Sequence, residues 1–75
     1  MIDKYINYLK KVHESTDYSV QYPAVEMYVV GQELGLPDSE TKKIVIKLIE
    51  DHYLINSTLT SVVLTEKGKS ELKFL

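Results

Sequence analysis

Lys42, Lys43 and Lys47 lie close together near the middle of the chain. An ammonium group holds a phosphate oxygen as a compact point charge. On a helix, one face would hold Ser39, Glu40, Lys43, Ile46, Lys47 and Glu50, with Lys42 on its flank, so the formal charges of the face itself cancel and Lys42 leaves it slightly positive. The three lysines could contact a phosphate backbone, or they could form an ordinary solvated face of the helix.

The remaining reactive side chains do not form a catalytic or metal-binding motif. His13 precedes Glu14 and His52 follows Asp51, but neighbours on a helix point about 100° apart and no paired-histidine spacing exists. The chain has no cysteine, and therefore no thiolate nucleophile or cysteine-ligated metal. We therefore expect no enzymatic activity, no metal and no cofactor, with both histidines packing or capping at helix ends.

The charge composition limits how the chain could bind nucleic acid. It has 75 residues, room for one domain with a modest core, and a formal net charge of −2. All 9 basic residues are lysine, which excludes the bidentate arginine–guanine contact and an arginine in a narrow minor groove. No apolar run approaches the roughly 20 residues of a spanning helix, so we expect a cytoplasmic protein without a membrane partner.

Hydrophobic periodicity predicts two helices and a short strand in the amino-terminal half. Apolar residues at three- and four-residue spacing predict helix 1 over 2–14. The alternating segment 18–22 predicts a minimal strand that pairs with a later hairpin. Pro23 suits the first position of a helix, so helix 2 is expected over 23–34 and is expected to stop at Gly35.

The carboxyl-terminal half predicts a helix, a hairpin and a short last helix. Asp38 is a natural N-cap for helix 3 over 39–53, whose packing face would include Thr41, Leu48 and His52. β-favouring residues around an uncharged tip predict two strands, and Thr65 should cap helix 4. The two predicted strands cover 54–56 and 61–65, and helix 4 is predicted over 66–74. The expected fold is α+β and mainly α, a three-helix core with a small β-hairpin.

The order of these elements resembles a winged helix-turn-helix domain. In the run 53–68, YLINSTLTSVVLTEKG, a helix end, two β segments and a threonine-capped helix follow without a break. The run 30–37, VGQELGLP, looks like a second helix with a small residue for close approach, closed by Leu-Gly-Leu. Both runs are similar to small bacterial and archaeal transcriptional regulators, including the multiple-antibiotic-resistance and phenolic-acid-regulator types.

This resemblance implies double-stranded DNA as the partner and a small transcriptional regulator as the function. In such proteins helix 3 enters the major groove and the wing touches the backbone. Lysines would neutralise phosphates, hydroxyls would donate to phosphate oxygens, and Ile46 would meet a thymine methyl. The DNA-binding set carried over is Ser39, Lys42, Lys43, Ile46 and Lys47 on helix 3, with Ser57, Thr58 and Thr60 on the wing.

A second reading makes the domain a protein–protein interaction module or adaptor without DNA binding. The acidic composition, the absence of arginine and the uncharged wing tip favour it, whereas the helix 3 lysines favour DNA. Val25 and Val29 would project from helix 2 away from its apolar stripe, either packing on the tyrosine-rich loop or forming a partner or homodimer surface. A homodimer would also double the phosphate contacts of a weak DNA binder.

Overall fold

The computed structural model describes residues 3–21 and 23–73, in which four helices surround a three-stranded antiparallel sheet. In chain order the elements are α1 (Asp3–Ser15), β1 (Val25–Glu26), α2 (Met27–Glu33), α3 (Asp38–Glu50), β2 (Leu54–Asn56), β3 (Ser61–Leu64) and α4 (Glu66–Lys73). The fold is therefore α+β and mainly helical, as predicted. The element order is compatible with a winged helix-turn-helix.

The sheet has β3 at its centre, between β1 and β2. In the β2–β3 hairpin Leu54 lies opposite Leu64, and on the other side of β3 Val25 lies opposite Val62. Because side chains alternate across a strand, these four residues point to the helices and are buried. Ile55 lies on the outer face and is half exposed.

The core joins this inner sheet face to the apolar faces of α1 and α3. Its fully buried side chains include Tyr8, Leu9, Val12, Ile44, Leu48, Leu54 and Val62. Tyr8 is the one tyrosine among them, and its buried hydroxyl has a hydrogen-bond partner: it donates to the Met27 carbonyl oxygen at 2.7 Å. Burial raises the pKa of the Tyr8 hydroxyl above its ordinary value of 10.0, so the group keeps its proton further into the alkaline range.

The contact between α2 and α3 depends on a missing side chain. A Cβ atom at the buried Gly31 would collide with the side chain of Thr41. Just beyond it, α2 ends at Glu33, one residue before the predicted end, and Gly35 follows the Leu34 cap with a φ of 75°, the left-handed stop that the sequence predicted. Leu36 N–H donates to the Gly31 carbonyl at 2.9 Å and Gly35 N–H to that of Gln32 at 3.0 Å, the paired bonds of a Schellman ending.

The predictions for the segment between α1 and α2 were wrong. Pro23 does not begin a helix: it precedes β1, and α2 starts only at Met27. The cause is tertiary, because Val25 pairs with β3 and Met27 N–H donates to the Thr60 carbonyl at 2.8 Å. The strand expected over 18–22 is a turn at 18–21, and residue 22 lies outside the described residues.

Helix α3 begins one residue earlier and ends three residues earlier than predicted. Asp38 is its first residue and not a side-chain cap. His52 adopts a φ of 65° and is exposed, so it does not lie on the packing face of a helix. Tyr53 N–H donates to the Leu48 carbonyl at 2.9 Å, which turns the chain sharply toward the buried Leu54.

The other predicted bounds differ from the structure by one residue at most. Helix α1 continues to Ser15, and its predicted first residue lies outside the described part, as does the predicted last residue of α4. Strand β3 ends at Leu64 because Thr65 caps α4, accepting from Gly68 N–H at 3.0 Å as expected. No helix within residues 3–21 and 23–73 has the length and apolar character needed to cross a bilayer.

Candidate nucleic-acid interface

Helix α3 presents the five residues predicted for it to solvent. The opposite side of the helix is buried through Thr41, Ile44, Val45 and Leu48. Ile46 is 47% exposed, and the exposed set is Ser39, Lys42, Lys43, Ile46 and Lys47. The structure thus brings these residues onto one accessible surface of α3, which we call the α3 face.

Ion pairs decide which charges on the α3 face are free. Glu40 pairs with Lys4 of α1, with Nζ and Oε1 3.2 Å apart. Lys47 lies 3.7 Å from the Asp51 carboxylate, a long and exposed contact of small energetic worth. Among the described residues, Lys42 and Lys43 have no carboxylate within salt-bridge distance, and the exposed Glu50 on the same side of α3 has no cation there, so the Lys4 pair offsets one of the two carboxylates on this side of the helix.

The hairpin loop is less available for hydrogen bonding than predicted. Ser57, Thr58 and Thr60 are all exposed. However, the Thr60 hydroxyl donates to the Glu26 carboxylate at 2.8 Å, so its proton is already committed. Thr58 Oγ1 accepts from Ser61 N–H at 3.1 Å and keeps its own hydroxyl proton. The predicted donor role therefore suits Ser57 and Thr58 and not Thr60.

Leu59 is a tip residue that the sequence reasoning missed. It is 95% exposed, more than any other large apolar residue described. The loop holds it in place, because Ser57 N–H donates to the Ser61 carbonyl at 2.8 Å and Thr60 is tied to Glu26. A single leucine within the otherwise polar run 57–61 was the available signal.

The base of the hairpin is fastened to the end of α3. Thr65 N–H donates to the Tyr53 carbonyl at 3.1 Å and its hydroxyl to the His52 carbonyl at 2.6 Å. Lys67 of α4 donates to the Asp51 carbonyl at 2.8 Å and lies 4.7 Å from the centre of the Tyr53 ring. These contacts hold the hairpin loop and the α3 face in one fixed arrangement.

Other kinds of site find little support in the described residues. His13 lies on α1 and His52 in the turn between α3 and β2, and both are exposed. No cluster of three potential metal ligands occurs within residues 3–21 and 23–73. Comparison with protein-family models, with curated proteins and with solved structures finds no match to this chain.

Proposed function

We propose that this protein is a winged helix-turn-helix that binds double-stranded DNA, with α3 in the major groove and the β2–β3 hairpin as the wing. The observation that carries the proposal is the charge state of the α3 face. Lys42 and Lys43 are exposed and unpaired among the described residues, while the nearby Glu40 forms an exposed ion pair with Lys4 and Glu50 has no ion-pair partner there. Free ammonium groups on an exposed helix are suited to phosphate contacts.

The α3 face also limits which DNA bases the protein could recognise. Ile46 is the exposed apolar residue of α3, and a thymine C5-methyl is the base group that an aliphatic side chain meets in the major groove. With no arginine in the chain, a guanine contact would depend on lysine, which lacks the rigid fork of donors that a guanidinium presents. The expected target is therefore rich in A·T pairs, and a small transcriptional regulator is the biological role that follows.

A salt series tests this proposal directly. Fluorescence anisotropy with a labelled A·T-rich duplex should give affinity that falls with salt, with a slope of about −2 for two phosphate contacts per chain. Lys43→Gln should weaken binding and reduce the slope by about 1. Lys11→Gln is the matched control, because that lysine lies on α1 and pairs with Glu33 at 3.2 Å. A folded protein without binding at low salt would refute the proposal.

The hairpin surface favours a second candidate function, a protein–protein adaptor. Leu59 is 95% and Ile55 53% exposed on an uncharged hairpin, and Val29 is 49% exposed on α2. Val25 was predicted to share an exposed surface with Val29. It is buried in β1, so that prediction was wrong for Val25. Light scattering separates the candidates: a symmetric dimer fits a reader of palindromic DNA, and a monomer without DNA affinity fits an adaptor.

A further inference from the structure

A basic groove lies between α1 and α4, among residues that the DNA-binding proposal does not use. Its volume is about 470 Å³, within the range of small-molecule sites. It is lined by Lys10, His13, Glu14, Lys69, Leu72 and Lys73. Three ammonium groups and one carboxylate leave a formal charge of +2 on a chain whose net charge is −2. Positive charge is therefore concentrated here against the average of the molecule.

Within residues 3–21 and 23–73, ion pairing leaves two of the three groove lysines without a carboxylate partner. Among the described residues, neither Lys10 nor Lys73 has a carboxylate within salt-bridge distance. Lys69 lies 3.2 Å from Glu66, but that carboxylate side chain is 91% exposed, so solvent screens the pair strongly.

Helix dipoles explain only part of the arrangement. His13 and Lys73 lie in the last turns of α1 and α4, where a cation is favoured. Lys10 and Lys69 lie outside those last turns. Their convergence on one groove therefore needs another explanation.

Tyr18, in the loop that follows α1, contacts one residue on each side of the groove. The Tyr18 hydroxyl and His13 Nδ1 share a hydrogen bond of 2.7 Å. The Lys69 ammonium lies 5.1 Å from the centre of the same tyrosine ring. Of the groove residues, His13 and Lys69 are held in this way, so these two lose less conformational freedom when a ligand arrives than free side chains would.

We propose that this groove binds a small phosphate monoester. The dianion of such an ester matches the formal +2 charge, and its oxygens would be shared among Lys10, Lys69 and Lys73. Leu72 offers an apolar surface to the organic part of the ligand. Glu14 would accept a hydrogen bond from a ligand hydroxyl, while its negative charge opposes the phosphate and is outweighed by the three lysines. The site is separate from the α3 face and stands whether or not the protein binds DNA.

The test is an NMR titration of the ¹⁵N-labelled protein at constant ionic strength, with adenosine monophosphate as the probe. We expect saturable shifts at residues 10–14 and 69–73, with a Kd below about 1 mM. Adenosine, which lacks the phosphate, should cause no saturable shift. Lys10→Gln with Lys73→Gln should raise the Kd about tenfold or more, and Lys11→Gln should leave it within about twofold.

Several outcomes would overturn the proposal. These are equal binding of adenosine and its monophosphate, an unchanged Kd in the double variant, or shifts that follow ionic strength and do not saturate. Equal affinity for a carboxylate such as benzoate would show a general anion surface and no phosphate site. The amide spectrum of each variant reports its fold, so a loss of binding through unfolding is recognised in the same experiment.

Discussion

Replacing Gly31 with alanine should force α2 and α3 apart. The new Cβ would lie 2.8 Å from Thr41 Cγ2 and 2.9 Å from Thr41 Cβ, and closer still to the hydroxyl oxygen. Carbon atoms in contact prefer a separation of about 3.5–4.0 Å, so the helices must separate by about 1 Å. Rotating the Thr41 side chain cannot relieve the clash completely, because its Cβ is fixed to the backbone of α3.

The expected cost is about 2 kcal/mol of unfolding free energy. Overpacking costs about 1–3 kcal/mol, and the severity of this clash places it near the upper end; alanine regains at most about 1 kcal/mol of helix propensity over glycine, which leaves about 2 kcal/mol. A domain of this size is stabilised by about 4–11 kcal/mol in total, so the variant should fold but unfold earlier in urea. Circular dichroism at the helical band measures the midpoint and the slope.

A double-mutant cycle tests the reasoning itself. Thr41→Ala removes two of the three clashing atoms, and also a buried hydroxyl that has no hydrogen-bond partner among the described residues. Gly31→Ala should therefore cost at least about 1 kcal/mol less in the Thr41→Ala background. Costs that add within about 0.5 kcal/mol would show that the two residues do not limit the helix approach, and would refute this account.

Three further predictions concern single exposed positions. Leu59→Lys should change the free energy of unfolding by no more than about 0.5 kcal/mol, since the side chain is 95% exposed. The new charge should steepen the salt dependence of DNA binding by a slope of about 1. An unchanged slope would mean that the hairpin tip does not contact phosphates. His52→Gly should stabilise the fold by about 0.5–1 kcal/mol in urea unfolding, because φ is 65° there, and a loss of stability would contradict this. The Ser19 hydroxyl and N–H, which donate to Asp17, hold the pKa of that carboxyl below its ordinary 3.8. The stability that these hydrogen bonds to the Asp17 carboxylate provide is present above pH 3.8 and is lost as pH falls through the pKa of Asp17 in the folded state. An NMR titration of the Ser19→Ala variant should show a higher Asp17 midpoint.

Local sequence patterns were sufficient for α1, α4 and the β2–β3 hairpin. Each has a signal within a few residues: apolar spacing in α1, the Thr65 cap in α4 and β-favouring runs around a polar tip. The stop of α2 at Gly35 was also readable, because a left-handed residue after a helix favours glycine. His52 adopts a similar conformation without that signal, and the end of α3 was accordingly predicted too late.

Strand β1 was decided by tertiary contacts. Two residues cannot form a strand alone, and Val25–Glu26 are extended because β3 supplies their hydrogen-bond partners. From sequence, Pro23 favoured a helix start at the same place. The hairpin therefore overrode a local preference and shortened α2 to Met27–Glu33.

The candidate site shows the same division. Helical spacing alone placed Lys42, Lys43 and Ile46 on an exposed face of α3. The charge on that face depends on Lys4, which lies 36 positions from its partner Glu40. The basic groove likewise joins lysines from opposite ends of the chain. Periodicity specifies which side of an element is apolar, whereas only packing of distant elements determines which charges meet.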